Sequence, residues 1–168
     1  MSTYVKRKSD RQERRTAKEF GGRTQIASGA LPGMKGDVRT GERVAGKLND
    51  NDFLIENKYT EAPSYKLTLA TWDKIAKEAL RDSFRTPLMQ IDIREVELVL
   101  MDDGTFKSMF NFDTRADCVI KAGGKSVSLL GDECENLLDL ADAIIIDFYN
   151  IPRQLYVVRK RDFLRNLP

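Results

Sequence analysis

The chain contains no histidine among its 168 residues. That absence removes Ser-His-Asp and Cys-His triads, histidine-ligated zinc and any nuclease built on a histidine general base. Chemistry must then come from Asp, Glu, Lys, Arg, Tyr, Ser or Thr. Only two cysteines occur, Cys118 and Cys134, with no second pair to complete a zinc site. Both are expected to be packing thiols without a disulfide. No apolar run approaches the roughly eighteen residues of a membrane span, and the start, Met-Ser-Thr-Tyr-Val-Lys-Arg-Lys, lacks the apolar centre of a secretory signal. No membrane partner is expected, and the cytoplasm is the expected compartment.

What is present is a soluble, globular composition, 41% hydrophobic and 32% charged, with a net charge of only +2. The charge is segregated. Residues 1–47 hold twelve Lys or Arg against five acids, and residues 153–168 hold five against one, so the middle is net acidic. A basic face of this kind suits a polyanion, and nucleic acid is the favoured partner.

Read in order, residues 1–8 form a basic tail expected to be flexible. A short polar helix is expected from Asp10 to about Phe20, capped by Ser9 and ended by Gly21-Gly22. Residues 23–28 fit a strand and residues 29–36 a glycine-containing loop, and Asp37-Val38-Arg39 begins a second strand. Phe53 to Tyr59 fits a third strand. The clearest helix follows Pro63. Trp72, Ile75, Ala76, Ala79 and Leu80 share one face, Thr68 or Thr71 is the cap, and Pro87 stops it. Residues 88–93 and 95–101 read as strands, and Asp102-Asp103-Gly104-Thr105 reads as a turn toward residues 106–112. Residues 118–121 and 126–130 read as a hairpin around Gly123-Gly124. Cys134 to about Phe148 reads as a helix with Leu137, Leu138, Ala141, Ile144 and Ile145 on one face. Residues 155–158 read as a strand followed by a short basic helix.

Gly124-Lys125-Ser126 mimics a phosphate-binding loop, but the motif's first glycine would fall at Val119 and a strand follows where it needs a helix, so no nucleotide cofactor is expected. A stronger pattern joins Asp37 to Glu56-Asn57-Lys58. On a strand, Glu56 and Lys58 share one face and Asn57 takes the other. Two carboxylates can hold hydrated Mg²⁺, with Mn²⁺ as a substitute, against a scissile phosphate. A lysine beside them orients the attacking water and balances developing charge. The plain alternative is a strand-end salt bridge between Glu56 and Lys58.

The order of these segments resembles the Holliday junction resolvases of archaea and phages, in the PD-(D/E)XK nuclease superfamily. The likeness runs over about residues 8–101. It comprises an acid-bearing helix (Ser9 to Arg14), a strand into a small-residue loop (Ala27-Ser28-Gly29-Ala30), Lys35-Gly36-Asp37-Val38, Glu56-Asn57-Lys58, then the helix from Trp72 and the strand from Leu88. Gly36 stands where the superfamily name has Pro, and the chain beyond residue 102 has no counterpart in a minimal resolvase. The resemblance implies an α/β fold: a restriction-endonuclease-like mixed β-sheet core over residues 9–101 flanked by helices, with residues 102–168 as an α+β extension packed on the same domain.

It implies further that Asp37 and Glu56 bind the metal, that Lys58 is the catalytic lysine, that Glu13 completes the site, and that Ser28 lies near the scissile phosphate. Arg14, Arg15, Lys18, Arg23, Lys35, Arg39 and Lys66 are candidate DNA contacts, with Tyr65 beside Lys66. The implied activity is endonucleolytic hydrolysis of branched DNA, most specifically four-way junctions, by a homodimer in a viral recombination or genome-processing role, in the host cytoplasm if viral. Two alternatives stay open: another nuclease of the superfamily acting on nicked or linear duplex, and a non-catalytic DNA-binding accessory protein.

Overall fold

A computed structural model describes residues 3–25, 37–41, 52–82, 84–110, 116–149 and 151–167. The described residues form an eight-stranded mixed sheet covered by helices on both faces, with a two-stranded ribbon beside it. The strands of the large sheet are β1 (Arg23–Thr24), β2 (Val38–Arg39), β3 (Phe53–Thr60), β5 (Thr86–Ile93), β6 (Val96–Asp102), β10 (Gln154–Arg159), β9 (Ile144–Phe148) and β7 (Cys118–Ala122), in that spatial order. The ribbon pairs β4 (Ser64–Thr68) with β8 (Ser126–Leu130). This is a mixed α/β architecture, as the alternation of strand and helix patterns implies.

The helix α1 (Thr3–Glu19) opens the chain. It starts upstream of the expected Asp10 and takes in Ser9 as an interior residue, because nothing between Thr3 and Phe20 is a Gly or Pro that would interrupt it. It ends at Gly21, whose φ of +65° suits a residue without Cβ. A Cβ on the next residue, Gly22, would collide with the Arg39 carbonyl, so this glycine lets the chain turn tightly against β2.

Strands β2 and β3 are antiparallel, and β3 is parallel to β5 through the crossover helix α2 (Leu69–Arg81). Thr68 caps α2 by accepting from the Thr71 N–H at 3.1 Å. Trp72, Ile75 and Ala79 bury against the sheet, and Trp72 is a core residue as its place in the pattern implies. Leu80 does not join them. It is 58% exposed, one position beyond the arc that the sheet covers.

Three sequence-based expectations fail beyond residue 102. Residues from Asp103 form a helix, α3 (Asp103–Met109), because Asp102 accepts from the Thr105 N–H at 2.8 Å and so caps a helix where a hairpin turn is expected. The segments around Gly123-Gly124 are strands, but β7 pairs with β9 and β8 with β4, so they form no hairpin with each other. The helix expected from Cys134 to Phe148 divides into α4 (Gly131–Leu140) and β9, the run Ile144-Ile145-Ile146 being β-branched and suited to the sheet. The short closing helix is α5 (Lys160–Arg165).

Helix contacts divide the interior in two. On one face of the sheet, Trp72, Ile75, Cys134 and Leu138 pack with Met89, Ile91, Leu98 and Val157. On the other, Ala17, Phe20, Phe106 and Phe163 pack with Phe53, Ile55, Leu88 and Val158. The C-terminal strand β10 pairs directly with β6, so the last third of the chain is continuous with the sheet. Both cysteines are free thiols. Among the described residues no helix is long and apolar enough to cross a membrane.

Candidate active site

The alternation of β3 sorts its side chains. Phe53, Ile55, Asn57 and Tyr59 face α1, and Leu54, Glu56 and Lys58 face the side covered by α2. The first set is fixed by contacts: Phe53 and Ile55 pack with Ala17 and Phe20, and Thr16 Oγ1 lies 2.9 Å from Asn57 Oδ1 and 2.7 Å from Gln90 Oε1. On the second face Glu56 and Lys58 lie beside Met89 and Ile91, their register partners on β5.

Asp37 stands immediately before the β2–β3 pairing, in which Val38 is opposite Ile55 and Arg39 opposite Leu54. Two backbone bonds anchor the position, from the Asp37 N–H to the Ile55 carbonyl at 3.0 Å and from the Gln25 N–H to the Asp37 carbonyl at 2.9 Å. The Asp37 carboxylate in turn accepts from the Asn57 N–H at 2.7 Å, which fixes it against β3. The sequence supplies the two halves of this pair twenty residues apart, and the fold brings them together.

Lys58 Nζ lies 2.7 Å from Glu56 Oε1. Burial pulls the Lys58 pKa down, but the hydrogen bond and charge of Glu56, with the charges of Tyr65 and Asp37, outweigh it and leave the pKa raised. Lys58 is therefore a held cation at neutral pH, fitted to attract phosphate oxygens and unfitted to accept a proton. Tyr65, half-buried on β4, faces the same pair. Burial raises its pKa, the positive charge of Lys58 lowers it, and Glu56 raises it.

Mg²⁺ takes one or two protein carboxylates and fills its remaining positions with water and phosphate, and Asp37 and Glu56 are the two carboxylates whose charges act on Lys58. Among the described residues no group of three or more His, Cys, Asp or Glu side chains converges, so Glu13 does not join the pair as a third ligand. Glu13 is half-buried on α1, whose neighbour Gln12 sends its Nε2 to the Lys58 carbonyl at 3.0 Å. Gln12 and the Asn57 backbone are the supports of the site that sequence inspection misses. Both act through contacts distant in sequence, and no local pattern marks them.

The candidate DNA contacts are dispersed. Arg14, Lys18 and Lys66 are exposed, and Arg23 is exposed on β1. Arg15 is committed to Asp92 and Glu97, and Arg39 to Asp82 at 2.7 Å. Ser28 and Lys35 lie outside the described residues. No protein-family model matches the chain, and neither does any curated protein or solved structure.

Proposed function

We propose that the protein is a Mg²⁺-dependent endonuclease of restriction-endonuclease-like fold that hydrolyses phosphodiesters of branched DNA, four-way junctions first among them. The observation that carries this is the seating of Asp37 on β3, where its carboxylate accepts from the Asn57 N–H between Glu56 and Lys58 and acts with Glu56 on the Lys58 charge. The order of elements supports it: an acid-bearing helix, the Asp37 strand, the Glu56-x-Lys58 strand, a crossover helix and a parallel return strand follow one another as in the family the sequence resembles.

In this reading Asp37 and Glu56 would hold the metal, which supplies Lewis acidity toward the phosphate and makes bound water more acidic. The chain's own residues do the rest. The Asn57 N–H and the neighbouring backbone bonds hold the Asp37 carboxylate against β3, which limits the reorganisation needed when a cation and phosphate arrive. Lys58, charged and anchored on Glu56, offers its ammonium to a phosphate oxygen as negative charge builds up in the transition state. The rigid sheet carries all three groups, and Gln12 braces the strand at Lys58 from the opposite face. Cutting two symmetry-related strands of a junction calls for a two-fold dimer, and basic side chains reading phosphate geometry select structure over base sequence.

The test is Mg²⁺-dependent cleavage of a synthetic four-way junction beside linear-duplex and flap controls. Junction cleavage that Asp37→Asn and Lys58→Ala abolish is the expected result. Cleavage that survives both changes would remove the site from consideration, equal cutting of linear duplex would shift the substrate class, and binding without cleavage would leave a DNA-binding protein.

A further inference from the structure

Helix α2 buries one side and leaves another bare. Trp72, Ile75 and Ala79 face the sheet, whereas Lys74, Lys77, Leu80, Arg81 and Phe84 are all exposed. Residues 77, 80 and 81 share one helical face. Phe84 lies beyond the last turn, where its N–H donates to the Leu80 carbonyl at 3.2 Å and the Arg85 N–H to the Ala79 carbonyl at 3.0 Å in a turn that ends the helix beside that face. Lys74, Lys77 and Arg81 have no ion-pair partner among the described residues. Of the helix's two acids, Asp73 pairs with Arg153 and Glu78 has a partner of its own, and Asp82 at the C-cap pairs with Arg39 and Arg85.

The apolar members are unusual in their own right. Leu80 is 58% exposed and Phe84 71%. Phe84 also has a φ of +59°, a left-handed conformation that a bulky side chain adopts against steric resistance. An aromatic ring held out in solvent on such a backbone contributes little to the core.

Unneutralised cations interleaved with an aliphatic and an aromatic side chain form a surface for a polyanion that also offers flat apolar rings, which is nucleic acid. Two apolar side chains are too few for the broad apolar face by which a helix sinks into lipid. The buried residues Trp72, Ile75 and Ala79 lie between this face and the sheet, so the face points away from Asp37 and Glu56. Duplex DNA is stiff over lengths far greater than this protein's width. A straight duplex therefore meets one of the two surfaces, and a branched one can meet both. We propose that the outer face of α2 is a second nucleic-acid-binding surface, which holds an arm of branched DNA other than the one at the carboxylate pair. This inference rests on the nuclease reading above.

Fluorescence-anisotropy titrations test it, with Asp37→Asn protein and a four-way junction beside a linear duplex of the same arm sequence. The Lys77→Glu/Arg81→Glu double change is expected to weaken junction binding at least about tenfold and to reduce its log–log salt slope by about two, with linear duplex affected less than about twofold. Lys77→Gln/Arg81→Gln is expected to act in the same direction with smaller size, and Phe84→Ala to weaken junction binding alone. Unchanged junction affinity would overturn the assignment. So would an equal loss on linear duplex, binding of anionic phospholipid vesicles that the same changes abolish, or a change in oligomeric state on sedimentation. If the junction effect holds while the unsubstituted protein cleaves nothing, the nuclease reading fails and the surface stands.

Discussion

Thr16 is where α1 is fastened to the strand that carries the candidate site. Its side chain is fully buried, with Oγ1 2.9 Å from Asn57 Oδ1 and 2.7 Å from Gln90 Oε1. Thr16→Val keeps the shape and removes the hydroxyl. Its single proton can be given to only one of these amide oxygens, so its loss leaves that oxygen without a donor, at a cost of about 1–3 kcal/mol. For a chain of this length each kcal/mol lowers Tm by about 2–4 °C, so a fall of roughly 2–12 °C is expected. Thr16→Ser keeps the hydroxyl and loses one methyl, worth about 1 kcal/mol, and is expected to fall less. Urea titrations followed by circular dichroism give the comparison, with an unchanged slope showing that compactness is unaltered. A Thr16→Val protein within about 0.5 kcal/mol of the parent, or less harmed than Thr16→Ser, would refute the claim that this hydroxyl docks α1.

Asp92 is buried, and burial raises its pKa even though Gln90, Lys160 and Arg15 pull it down. Its folded pKa therefore exceeds its unfolded one, so ionisation costs stability above the folded value and the cost disappears as pH falls through it. Asp92→Asn is then expected to compare more favourably with the parent near pH 7 than near pH 3, as urea midpoints will show; the opposite trend would reverse the assigned sign. Phe84→Gly relieves a left-handed backbone that costs a non-glycine residue about 1–2 kcal/mol, less the entropy glycine adds to the unfolded chain. A small rise in Tm is expected, and a fall would show that the exposed ring supports the fold. Burial pushes the Cys134 thiol up to about 12, so alkylation in the native protein is expected only at the rate of unfolding. Cys134 modification at the rate of a free thiol would contradict its placement in the core.

The parts of the fold legible in the sequence are those written in local periodicity. Phe53 to Lys58 announces both a strand and the shared face of Glu56 and Lys58. Trp72, Ile75 and Ala79 announce α2, and Thr68 its start. Strand β4 goes unseen because Ser64-Tyr65-Lys66 carries little apolar signal, and its pairing partner β8 is some sixty residues away. The helical spacing of Leu137, Leu138, Ala141, Ile144 and Ile145 spans two elements by coincidence, and the β-branched run from Ile144 was the competing signal. The spacing of Asp102 and Thr105 suits a helix cap as well as a tight turn, and only the chain's onward course separates them. At the candidate site, Asp37 and Glu56-x-Lys58 are visible as residue types, but the β2–β3 pairing and the Asn57 N–H that seat Asp37 on β3 are encoded by no local pattern.

In the proposed function, Asp37 and Glu56 together would hold the cation required for cleavage. Isothermal titration of Mg²⁺ or Mn²⁺ into the protein with a non-cleavable junction, paired with cleavage of the natural phosphodiester under the same conditions, measures both halves of it. Saturable metal binding and cleavage are expected to be lost together in Asp37→Asn, with Tm within a few degrees of the parent because the asparagine oxygen still accepts from the Asn57 N–H. Metal binding and cleavage that persist in a folded Asp37→Asn protein would contradict it.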